Sequence, residues 1–511
     1  MLARSSTAAL AGIEAYPVQV EVDLAPGLPA LVIVGLADAA VQESRERVRS
    51  ALRNSGLRLP LSRVIVSLAP ADRRKQGPSF DLPIALALAC ASGQLEPARL
   101  EGIWCCGELG LDGQLRPIRG ALSIALAAQR AGARALLVPQ ANGPEARLIS
   151  GLEVRPVSSL CEALEALQPD YTPSPLQPSS DTPQPTPIPV DLQEIQGQAH
   201  GRRALEIAAA GGHHLLLVGP PGCGKTLLAQ SLAGLLPPLS PPEQLEITQL
   251  YSVAGELEQL GGLIRTRPFR SPHHSCSSAA LLGGGSCPRP GELALAHRGV
   301  LFLDELGEFR RDVLNQLRQP LEQGTLRLSR AKQQLHYPCC ISLVAATNPC
   351  PCGWYGDPEH DCSCTTSERQ RYWGRLSGPL LDRIDLQVVM QRVPAQVLRQ
   401  GYCDSASSAR RPPESTASAS QRIQQARLRM KQRNPGAGSN HRLSARDLRD
   451  TGAFSQDTLV LWEQVMAARA LSARSGQRLL SVARTIADLN DDDQVGPQAV
   501  AEALTYRSFT A

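Results

Sequence analysis

The sequence contains a glycine-rich turn whose residue types and spacing are suited to binding phosphate. Gly219, Gly224, Lys225 and Thr226 follow the G-x-x-x-x-G-K-[ST] pattern, directly after the apolar run 215–218. In such a loop the backbone N–H groups surround phosphate oxygens, and the following helix points its positive end at the same charge. The pattern predicts a nucleoside triphosphate site, and its predicted binding residues are Gly219, Pro220, Pro221, Gly222, Cys223, Gly224, Lys225 and Thr226.

Two acidic residues after a second apolar run are suited to the chemistry of hydrolysis. Asp304 and Glu305 end the run 299–303, which indicates a buried strand. Thr226 and Asp304 are predicted to hold Mg²⁺, and Lys225 is predicted to hold the β- and γ-phosphates of ATP. Glu305 is placed to polarise the attacking water. Such a pair is a weak signal alone, but after a P-loop it indicates an ATPase.

A third apolar run, 341–346, leads to Asn348. The run predicts a strand beside the one that ends at Asp304. An amide at the tip of that strand can hold the attacking water or the γ-phosphate. Asn348 is therefore a candidate catalytic residue, in addition to Glu305.

Four cysteines form a compact group of potential metal ligands. Cys350, Cys352, Cys362 and Cys364 make two C-x-C pairs. Four thiolates in one short segment match a tetrahedral structural Zn²⁺ site, although C-x-C is tighter than the usual finger spacing. Free buried cysteines are the alternative interpretation, and His360 could replace one ligand.

The composition limits the class of protein. A chain of 511 residues with 42% hydrophobic content can form about three domains with their own cores. The net charge of +4 predicts no strongly basic surface, so contacts with nucleic acid would need local patches. The 14 cysteines are spread along the chain, whose start lacks a signal-peptide pattern, and no run of about 18 apolar residues occurs. We therefore expect a soluble, cytoplasmic, thiol-rich protein without membrane contacts.

The first part of the chain predicts a mixture of strands and helices. The segment 18–22 alternates as a half-buried strand, and 31–36 indicates a buried strand. A helix is predicted at 40–55 and another strand at 64–68. This order indicates an α+β domain.

Two motifs in this domain resemble the Lon protease fold. The segments 75–85 and 107–118 match its serine-bearing turn and the hairpin that follows. Ser79 stands at the nucleophile position, but Leu122 stands where the family has its catalytic lysine. Because a serine without a base is a poor nucleophile, we expect a non-proteolytic domain, with an unorthodox peptidase as the alternative. Lys75 lies near in sequence but not at the family position, and Ser79 could instead cap a helix.

The rest of the chain supplies a linker and a helical end. The segment 166–190 is rich in proline, which interrupts both helices and central strands, so a linker is predicted. The segment 403–420 is rich in serine, alanine and proline and is expected to be mobile. Helices are predicted beyond it, and their segments are 422–431, 443–450, a long stretch from 457, and 473–489.

Together these motifs resemble the YifB/ComM family, magnesium-chelatase-like AAA+ proteins with an N-terminal Lon-like domain. The resemblance covers nearly the whole chain and rests on the P-loop, the acidic pair and the segments 267–274, 283–285, 290–292, 348–353 and 377–385. It implies a multidomain chain with an α+β Lon-like domain, an α/β P-loop AAA+ core with a parallel sheet, and a small all-α C-terminal lid. The implied domains are 1–165 (Lon-like), 166–190 (linker), 191–400 (core with a cysteine-rich insertion at 350–364) and 401–511 (flexible segment and lid).

The resemblance also implies roles for individual residues. Asn348 matches the sensor-1 position, and Arg383 lies in the segment that carries the arginine finger, with a pair to Asp382 or Asp385 as the alternative. Arg474 best matches the sensor-2 arginine, with Arg478 second.

Four further polar residues have alternative roles that the sequence leaves open. The segment 321–332 predicts a hairpin with a basic tip, which makes Arg330 and Lys332 candidate DNA contacts, with a solvated turn as the alternative. His273 and His274 could be metal ligands in isolation, but a loop role near the nucleotide or pore fits the resemblance better.

By resemblance, the expected activity is that of an ATP- and Mg²⁺-dependent DNA motor. A homohexameric branch-migration helicase in natural transformation and homologous recombination is implied, with single-stranded and branched DNA and recombination proteins as partners. The alternative is a chelatase-type or chaperone-like remodelling ATPase without helicase activity.

Overall fold

The structure is a computed structural model, and it describes residues 2–171, 190–257, 262–285, 289–330, 333–376, 378–395, 397, 414–434, 436 and 438–507. These residues form a multidomain α/β protein with two large sheets and a helical C-terminal region. Among the helices of this described part, none has the length and apolar character needed to cross a membrane.

The first large sheet is mixed and has seven strands. Their spatial order is β3-β4-β2-β1-β5-β8-β9. The ranges are β1 Leu2–Ala11, β2 Glu14–Ala25, β3 Ala30–Val34, β4 Arg63–Ala69, β5 Ile103–Cys105, β8 Ala135–Pro139 and β9 Glu153–Val157. A two-stranded hairpin is formed by β6 Glu108–Leu109 and β7 Leu115–Arg116. The helices are α1 Ala39–Asn54, α2 Asp81–Ala91, α3 Ala121–Arg130, α4 Gly143–Ala146 and α5 Leu160–Glu165.

Helices cover both faces of this sheet. The strand β2 alternates as predicted, because Val18, Val20 and Val22 are buried in one apolar cluster with α1 and α2. The other face packs on α3. The segment predicted as a buried strand at 31–36 does contain a strand, but the prediction that it is buried was wrong. The strand β3 is an edge strand, and only Ile33 in it is buried.

The second sheet has five strands, all parallel, and a parallel sheet is what the family resemblance implied for this part of the chain. The order is β11-β14-β17-β10-β18, and the ranges are β10 Leu215–Val218, β11 Phe269–Arg270, β14 Val300–Leu303, β17 Ser342–Thr347 and β18 Leu386–Val389. Two hairpins lie outside it, β12 Gly283–Gly284 with β13 Arg289–Pro290 and β15 Thr325–Arg330 with β16 Gln333–Pro338. The accompanying helices are α6 Ala199–Gly211, α7 Lys225–Leu235, α8 Pro241–Ala254, α9 Ser278–Leu282, α10 Glu292–Leu295, α11 Arg311–Gln316, α12 Arg318–Gln323, α13 Thr366–Arg375 and α14 Gly378–Leu381.

Both faces of the parallel sheet are buried, which explains the continuous apolar runs in its strands. Leu215 and Leu217 pack with α6 and α7, whereas Leu216 and Val218 pack on the opposite face with α8. The sheet therefore fixes the ends of its strands between two apolar layers.

The C-terminal helices share one of these layers. Their ranges are α15 Thr416–Arg433, α16 Ala445–Thr451, α17 Gln456–Ala468, α18 Ala473–Leu489 and α19 Pro497–Thr505. Ile423, Met430 and Leu479 are buried in the same apolar cluster as Leu215 and Leu217 of β10. Residues 416–420, predicted to be mobile, belong to α15, which begins after the N-cap Ser415.

The N-terminal unit contacts the parallel-sheet unit through the turn between β1 and β2. The Ile13 carbonyl accepts hydrogen bonds from Ser123 Oγ (2.6 Å) and Gln249 Nε2 (2.9 Å). Gly120 N donates to the Ser252 carbonyl at 3.0 Å. These contacts join α3 to α8.

Candidate functional site

The P-loop follows β10 and opens α7, as the sequence predicted. Gly222 (φ +76°) and Gly224 (φ +91°) adopt left-handed conformations that favour glycine. Lys225 Nζ donates to the carbonyls of Gly219 (2.7 Å) and Pro220 (3.0 Å), so the ammonium is folded over the loop. Burial lowers the pKa of Lys225. The arrangement places one cation where phosphate oxygens would bind.

The polar residues after β10, β14 and β17 converge on this lysine. Asn348 Oδ1 accepts from Lys225 Nζ at 3.2 Å, and Thr226 Oγ1 donates to Asp304 Oδ2 at 3.3 Å. They meet because β14, β17 and β10 are parallel neighbours whose carboxyl ends share one edge of the sheet. An amide, a hydroxyl and a carboxylate beside a lysine can hold a Mg²⁺–triphosphate.

Glu305 lies next to this group but is held by a loop. Its backbone is left-handed (φ +51°), and its side chain is about half exposed. Glu305 Oε2 lies 3.0 Å from His274 Nδ1. The predicted base and one of the two predicted loop histidines are therefore in direct contact.

The four predicted cysteine ligands lie together after β17. The Sγ separations are 3.3 Å for Cys350 and Cys352, 3.7 Å for Cys350 and Cys362, and 3.6 Å for Cys352 and Cys362. Cys364 completes a group whose sulfurs all lie within 4.8 Å of one another. A tetrahedral ion with Zn–S bonds of about 2.3 Å separates its sulfurs by about 3.8 Å. The cluster therefore fits a structural Zn²⁺.

Two of the clustered cysteines differ in the pKa of their thiol groups. Burial and a hydrogen bond that the Cys350 thiol donates to Cys352 Sγ raise the pKa of Cys350 to about 12. Burial also acts to raise the pKa of Cys352, but hydrogen bonds from the Trp354 N–H and from neighbouring thiols outweigh it and lower that pKa to about 6. A thiolate is the form of cysteine that binds metal.

The cysteine loop packs against the P-loop. A Cβ on Gly353 would lie 2.9 Å from Pro221 Cδ, so the two loops touch at a position that requires glycine. The Trp373 indole N–H donates to the Pro349 carbonyl at 3.0 Å. His360, considered as a substitute ligand, instead stacks on Trp354 at 4.4 Å and lies outside the cluster.

Arg383 and Arg474 meet at one carboxylate. Arg383 Nη2 lies 2.8 Å from Glu322 Oε1, and Arg474 Nη2 contacts the same oxygen. Burial acts to raise the pKa of Glu322, but the two guanidinium groups outweigh it and lower the pKa. Neither Asp382 nor Asp385, the alternatives from sequence, is the partner in this ion pair. The structure thus joins the predicted arginine finger to the predicted sensor-2 arginine.

Arg383 and its partner Arg474 lie near the amino-terminal ends of the parallel strands, whereas the P-loop lies at their carboxyl ends. Leu215 pairs with Leu386 and Val218 with Val389, so β10 and β18 begin and end together. Arg383 precedes β18, whereas the P-loop follows β10, and a strand of four residues spans about 13 Å. Arg383 therefore lies away from Lys225 of its own chain.

Asp385 anchors the same region through a buried polar network. Its Oδ2 lies 3.1 Å from His213 Nδ1 and 2.7 Å from His441 Nδ1, and its Oδ1 lies 3.4 Å from Arg478 Nε. Burial acts to raise the pKa of Asp385, but the charges of His441 and Arg478 outweigh it and hold the pKa well below its usual value. Arg478, the second sensor-2 candidate, is thus a partner of Asp385, and Arg474 lies one helical turn before it.

The predicted basic hairpin exists, but it begins later than the sequence indicated. Residues 318–323 form α12, and the hairpin pairs β15 with β16, with Arg330 opposite Gln333. Arg330 ends β15, and Lys332 lies outside the described residues. The hairpin connects α12 to β17, which ends at the Asn348 site.

The N-terminal unit contains Ser79, which stands at the predicted nucleophile position. Within the described residues no hydrogen bond is formed by the Ser79 hydroxyl, and Leu122 is buried in apolar surroundings. The Lys75 ammonium is buried and donates to the Pro70 carbonyl, and burial lowers its pKa. The alternative that Ser79 caps a helix was wrong, because Phe80 is the N-cap of α2 and no side chain caps it.

Sequence reasoning missed Glu322 and the Asp385 network. Glu322 lies in an ordinary polar helix segment, and no local pattern separates it from other surface acids. The histidine before β10 carried a weak signal, because His213 is a polar residue at the start of a buried strand.

Comparison with known proteins extends over the whole chain. Three family models match the chain. The model described as magnesium chelatase, subunit ChlI, matches residues 191–398, and the model described as subunit ChlI of Mg-chelatase matches residues 20–142. The model described as magnesium chelatase, subunit ChlI C-terminal, matches residues 413–507. The chain is 43% identical to the protein YifB of Escherichia coli strain K12 over 98% of this chain and 96% of that protein. It is 40% identical to the competence protein ComM of Haemophilus influenzae, over 98% of this chain and 96% of that protein.

A shorter region resembles a protease. The chain is 31% identical to Lon protease 2 of Bacillus subtilis over 28% of this chain and 27% of that protein. The matches to YifB and ComM cover far more of the chain, because each includes the P-loop, the acidic pair and the C-terminal helices in one alignment. The chain therefore belongs to the YifB/ComM family of magnesium-chelatase-like proteins.

Proposed function

We propose that this protein is an ATP-driven DNA motor that works as a homohexameric ring and promotes branch migration in recombination and natural transformation. The observation that carries the proposal is that one chain holds two separate groups of active-site residues, which we call half-sites. Lys225 and Asn348 lie at one edge of the parallel sheet, while Arg383 and Arg474 belong to the other. A ring brings the two halves together between neighbouring subunits.

Hydrolysis is assigned to the residues around Lys225. The lysine would hold the β- and γ-phosphates, and Thr226 and Asp304 would hold Mg²⁺, whose charge would neutralise that of the phosphates. Glu305 polarises a water that attacks the γ-phosphorus, so that the bond to the β-phosphate oxygen breaks and ADP and phosphate form. Asn348 orients the γ-phosphate or the water.

Arg383 and Arg474 are assigned to the ATP of the neighbouring subunit. Guanidinium groups stabilise charge on the transferring phosphoryl group when they reach it from another chain. Their shared partner Glu322 holds the two side chains together, so both would reach the neighbour's phosphates as a pair. This assignment requires at least two subunits for one active site.

Contact with DNA is assigned to the hairpin of β15 and β16. Arg330 ends β15, Lys332 stands two positions after it in the sequence, and the strand after the hairpin ends beside Asn348. A hairpin attached to that strand can transmit the nucleotide state to a bound strand of DNA. A relative that is 40% identical over nearly the whole chain carries the name competence protein ComM, and this name supports the proposed role in natural transformation.

The proposed division of the chain follows the expected domains. Residues 1–165 form a Lon-like, non-proteolytic domain, 166–190 a linker, 191–400 the AAA+ core and 401–511 a flexible segment with a helical lid. The linker stretch 172–189 and residues 401–413 lie outside the described residues. The cysteine cluster is assigned a structural Zn²⁺ that fixes the loop beside Pro221.

Ser79→Ala is expected to leave ATP hydrolysis and DNA-dependent activity nearly unchanged. Within the described part of the chain the Ser79 hydroxyl forms no hydrogen bond to a base, and Leu122 cannot act as one. Because Ser79 caps no helix, the free energy of unfolding should change by less than about 0.5 kcal/mol. ATPase assays, thermal melts and a peptide-hydrolysis assay check this. ATP-dependent peptide hydrolysis that disappears in Ser79→Ala would contradict it.

The proposed function is tested by ATPase assays without DNA and with single-stranded, linear duplex and four-way branched DNA. We expect branched DNA to stimulate hydrolysis most and to be migrated in an ATP-dependent strand-exchange assay. Lys225→Ala should abolish both activities, which excludes a contaminating helicase. Hydrolysis that is indifferent to every DNA would instead favour the chelatase-type or chaperone-like remodeller.

A further inference from the structure

An open cleft lined by arginines is formed by the segment after the acidic pair and by α13. Its volume is about 540 Å³, and its charged lining residues are Arg311, Arg371, Arg375 and Glu308. The other lining residues are Gly307, Phe309 and Gly374. Three guanidinium groups beside one carboxylate give this arginine cleft an excess of positive charge.

The arginines of the cleft have few acidic partners. Arg375 Nη1 lies 4.0 Å from Glu308 Oε2, at the outer limit of an ion pair, and both side chains are about half exposed. Within the residues that the structure describes, neither Arg311 nor Arg371 forms an ion pair or a side-chain hydrogen bond, and both are exposed. Guanidinium groups that share a cleft repel one another, and a bound anion offsets this repulsion. The charges of the cleft therefore favour an anionic ligand.

The geometry of the cleft suits a phosphate group. Arg371 and Arg375 lie four residues apart on α13, so both project from one face of that helix. Arg311 begins α11 and belongs to the second segment that lines the cleft. Gly374 keeps the cleft open, because no heavy atom lies within 4 Å of the place where its Cβ would be. Arginine presents a planar fork of N–H donors that matches phosphate oxygens, so two segments can hold one phosphate between them.

The cleft shares an apolar layer with the proposed DNA hairpin. Phe309 of the cleft and Tyr372 of α13 are buried in the same cluster as Leu326 of β15 and Tyr337 of β16. A Cβ on Gly307 would lie 2.7 Å from the Tyr372 ring, so the two segments that form the cleft pack closely on each other. A DNA strand at the hairpin is therefore on the side of the parallel sheet that carries the cleft.

We propose that the arginine cleft binds the phosphodiester backbone of the DNA strand that the hairpin engages. The inference rests on the proposed function, because this DNA is the substrate of the same motor. The net charge of the chain is only +4, so contact with DNA needs local clusters of cations such as this one. Phosphates are alike at every nucleotide, so the contact adds affinity without sequence preference.

The cleft is connected to the nucleotide site through α13. The Tyr372 hydroxyl lies 2.9 Å from Thr347 Oγ1, and the Trp373 indole N–H donates to the Pro349 carbonyl at 3.0 Å. These two contacts hold the chain on both sides of Asn348, a residue of the proposed ATP site. DNA bound in the cleft would rest on the helix that fixes this residue.

The test measures the binding of two fluorescent single-stranded oligonucleotides, an oligothymidylate and one of mixed sequence, to the full-length protein with a non-hydrolysable ATP analogue. The variants are Arg311→Gln, Arg371→Gln and the conservative Arg371→Lys. Arg310→Gln is the matched control, because Arg310 precedes Arg311 but pairs with Asp312 at 3.0 and 3.1 Å and does not line the cleft. Melting temperature and oligomer size show whether each variant is folded and assembled.

Arg311→Gln and Arg371→Gln are each expected to raise the Kd by about tenfold, equally for both oligonucleotides, because a charge-assisted hydrogen bond to a phosphate is lost. The slope of log K against log salt concentration should become shallower by at least about 0.7, the value for one phosphate contact on a single strand. Arg371→Lys should keep the salt slope, because it keeps the charge, and should bind with an intermediate Kd because it lacks the fork. Arg310→Gln should match the natural protein in both readouts.

Other outcomes would overturn the inference and leave the DNA motor in place. Unchanged Kd and salt slope in Arg311→Gln and Arg371→Gln would show that DNA does not enter the cleft. An equal loss in Arg310→Gln would mean that only the overall surface charge matters. Loss of ring assembly in the glutamine variants would mean that the cleft receives an acidic side chain of the neighbouring subunit.

A second arm distinguishes DNA from a free anion. Inorganic phosphate is added at constant ionic strength, and the melting temperatures of the natural protein and of Arg371→Gln are compared. A rise that occurs only in the natural protein, together with unchanged DNA affinity in Arg371→Gln, would identify free phosphate as the ligand and overturn the inference. If the natural protein binds neither oligonucleotide, the proposed function itself fails, and this inference fails with it.

Discussion

Arg383→Ala is expected to bind ATP and to assemble, yet to hydrolyse ATP at least about 10³-fold more slowly than the natural protein. The reason is that an arginine finger stabilises charge that develops in the transition state and contributes little to binding ATP itself. Fluorescent-nucleotide binding, light scattering and steady-state ATPase assays separate these three properties. Glu305→Gln should give the same pattern because it lacks the base on its own chain.

Mixing the two inactive variants is expected to restore activity. An interface between the intact Glu305 of an Arg383→Ala subunit and the intact Arg383 of a Glu305→Gln subunit is complete. Arg474→Ala should complement Glu305→Gln in the same way, because Arg474 shares Glu322 with Arg383. The matched control is Lys225→Ala mixed with Glu305→Gln, which should stay inactive because both changes damage the same half-site.

The pattern of complementation decides the assignment. Mixed rings without any recovered hydrolysis at any ratio would show that Arg383 does not act on the neighbouring subunit. Recovery in the Lys225→Ala control would show that Lys225 and Glu305 do not serve the same half-site, so that recovery in the test mixtures would not identify the interface.

The parts of the site that sequence alone could predict are those fixed by local chain geometry. An apolar strand that ends in a P-loop determines where Lys225 and Thr226 lie relative to each other. Parallel strands then bring Asp304 and Asn348 to the same edge, and this is the arrangement found. The cysteine cluster could also be predicted from the sequence, because its four potential ligands lie in one short segment.

The parts that could not be predicted depend on contacts between distant segments. The sequence offered Asp382 and Asp385 as partners of Arg383 because they are its neighbours, but α12 supplies Glu322 from far along the chain. The burial of Asp385 follows from packing of the C-terminal helices on the start of β10 and β18. No periodicity in either segment reports such packing.

The strand β3 illustrates the same limit in the N-terminal unit. Its apolar run is typical of a buried strand, yet it lies at the edge of the sheet and only Ile33 is buried. A run of apolar residues shows that a strand could be buried. Whether it is buried depends on whether the strand lies in the middle of the sheet or at its edge.

Loss of the cysteine cluster is the second change with a large expected effect. Freshly purified protein should contain one Zn²⁺ per chain, and the double variant Cys352→Ser, Cys362→Ser should contain none. Structural zinc supplies about 10–16 kcal/mol of apparent binding free energy in isolated fingers, so the loop 350–364 should lose its fold without the ion. Elemental analysis and thermal melts measure the two consequences.

The same variant should lose much of its ATPase activity although it alters no residue that contacts nucleotide. Asn348 is two residues before Cys350, and Gly353 of the cysteine loop packs on Pro221 of the P-loop. Without the fixed loop, Asn348 is no longer held against Lys225, and loss of one such oriented group costs about 10²-fold in rate. Cys161→Ser is the matched control, because Cys161 is an exposed thiol outside the cluster, and it should keep full zinc content and activity. Purified protein without zinc, or a double variant with unchanged melting temperature and activity, would reject the site and leave four free thiols whose proximity serves packing alone.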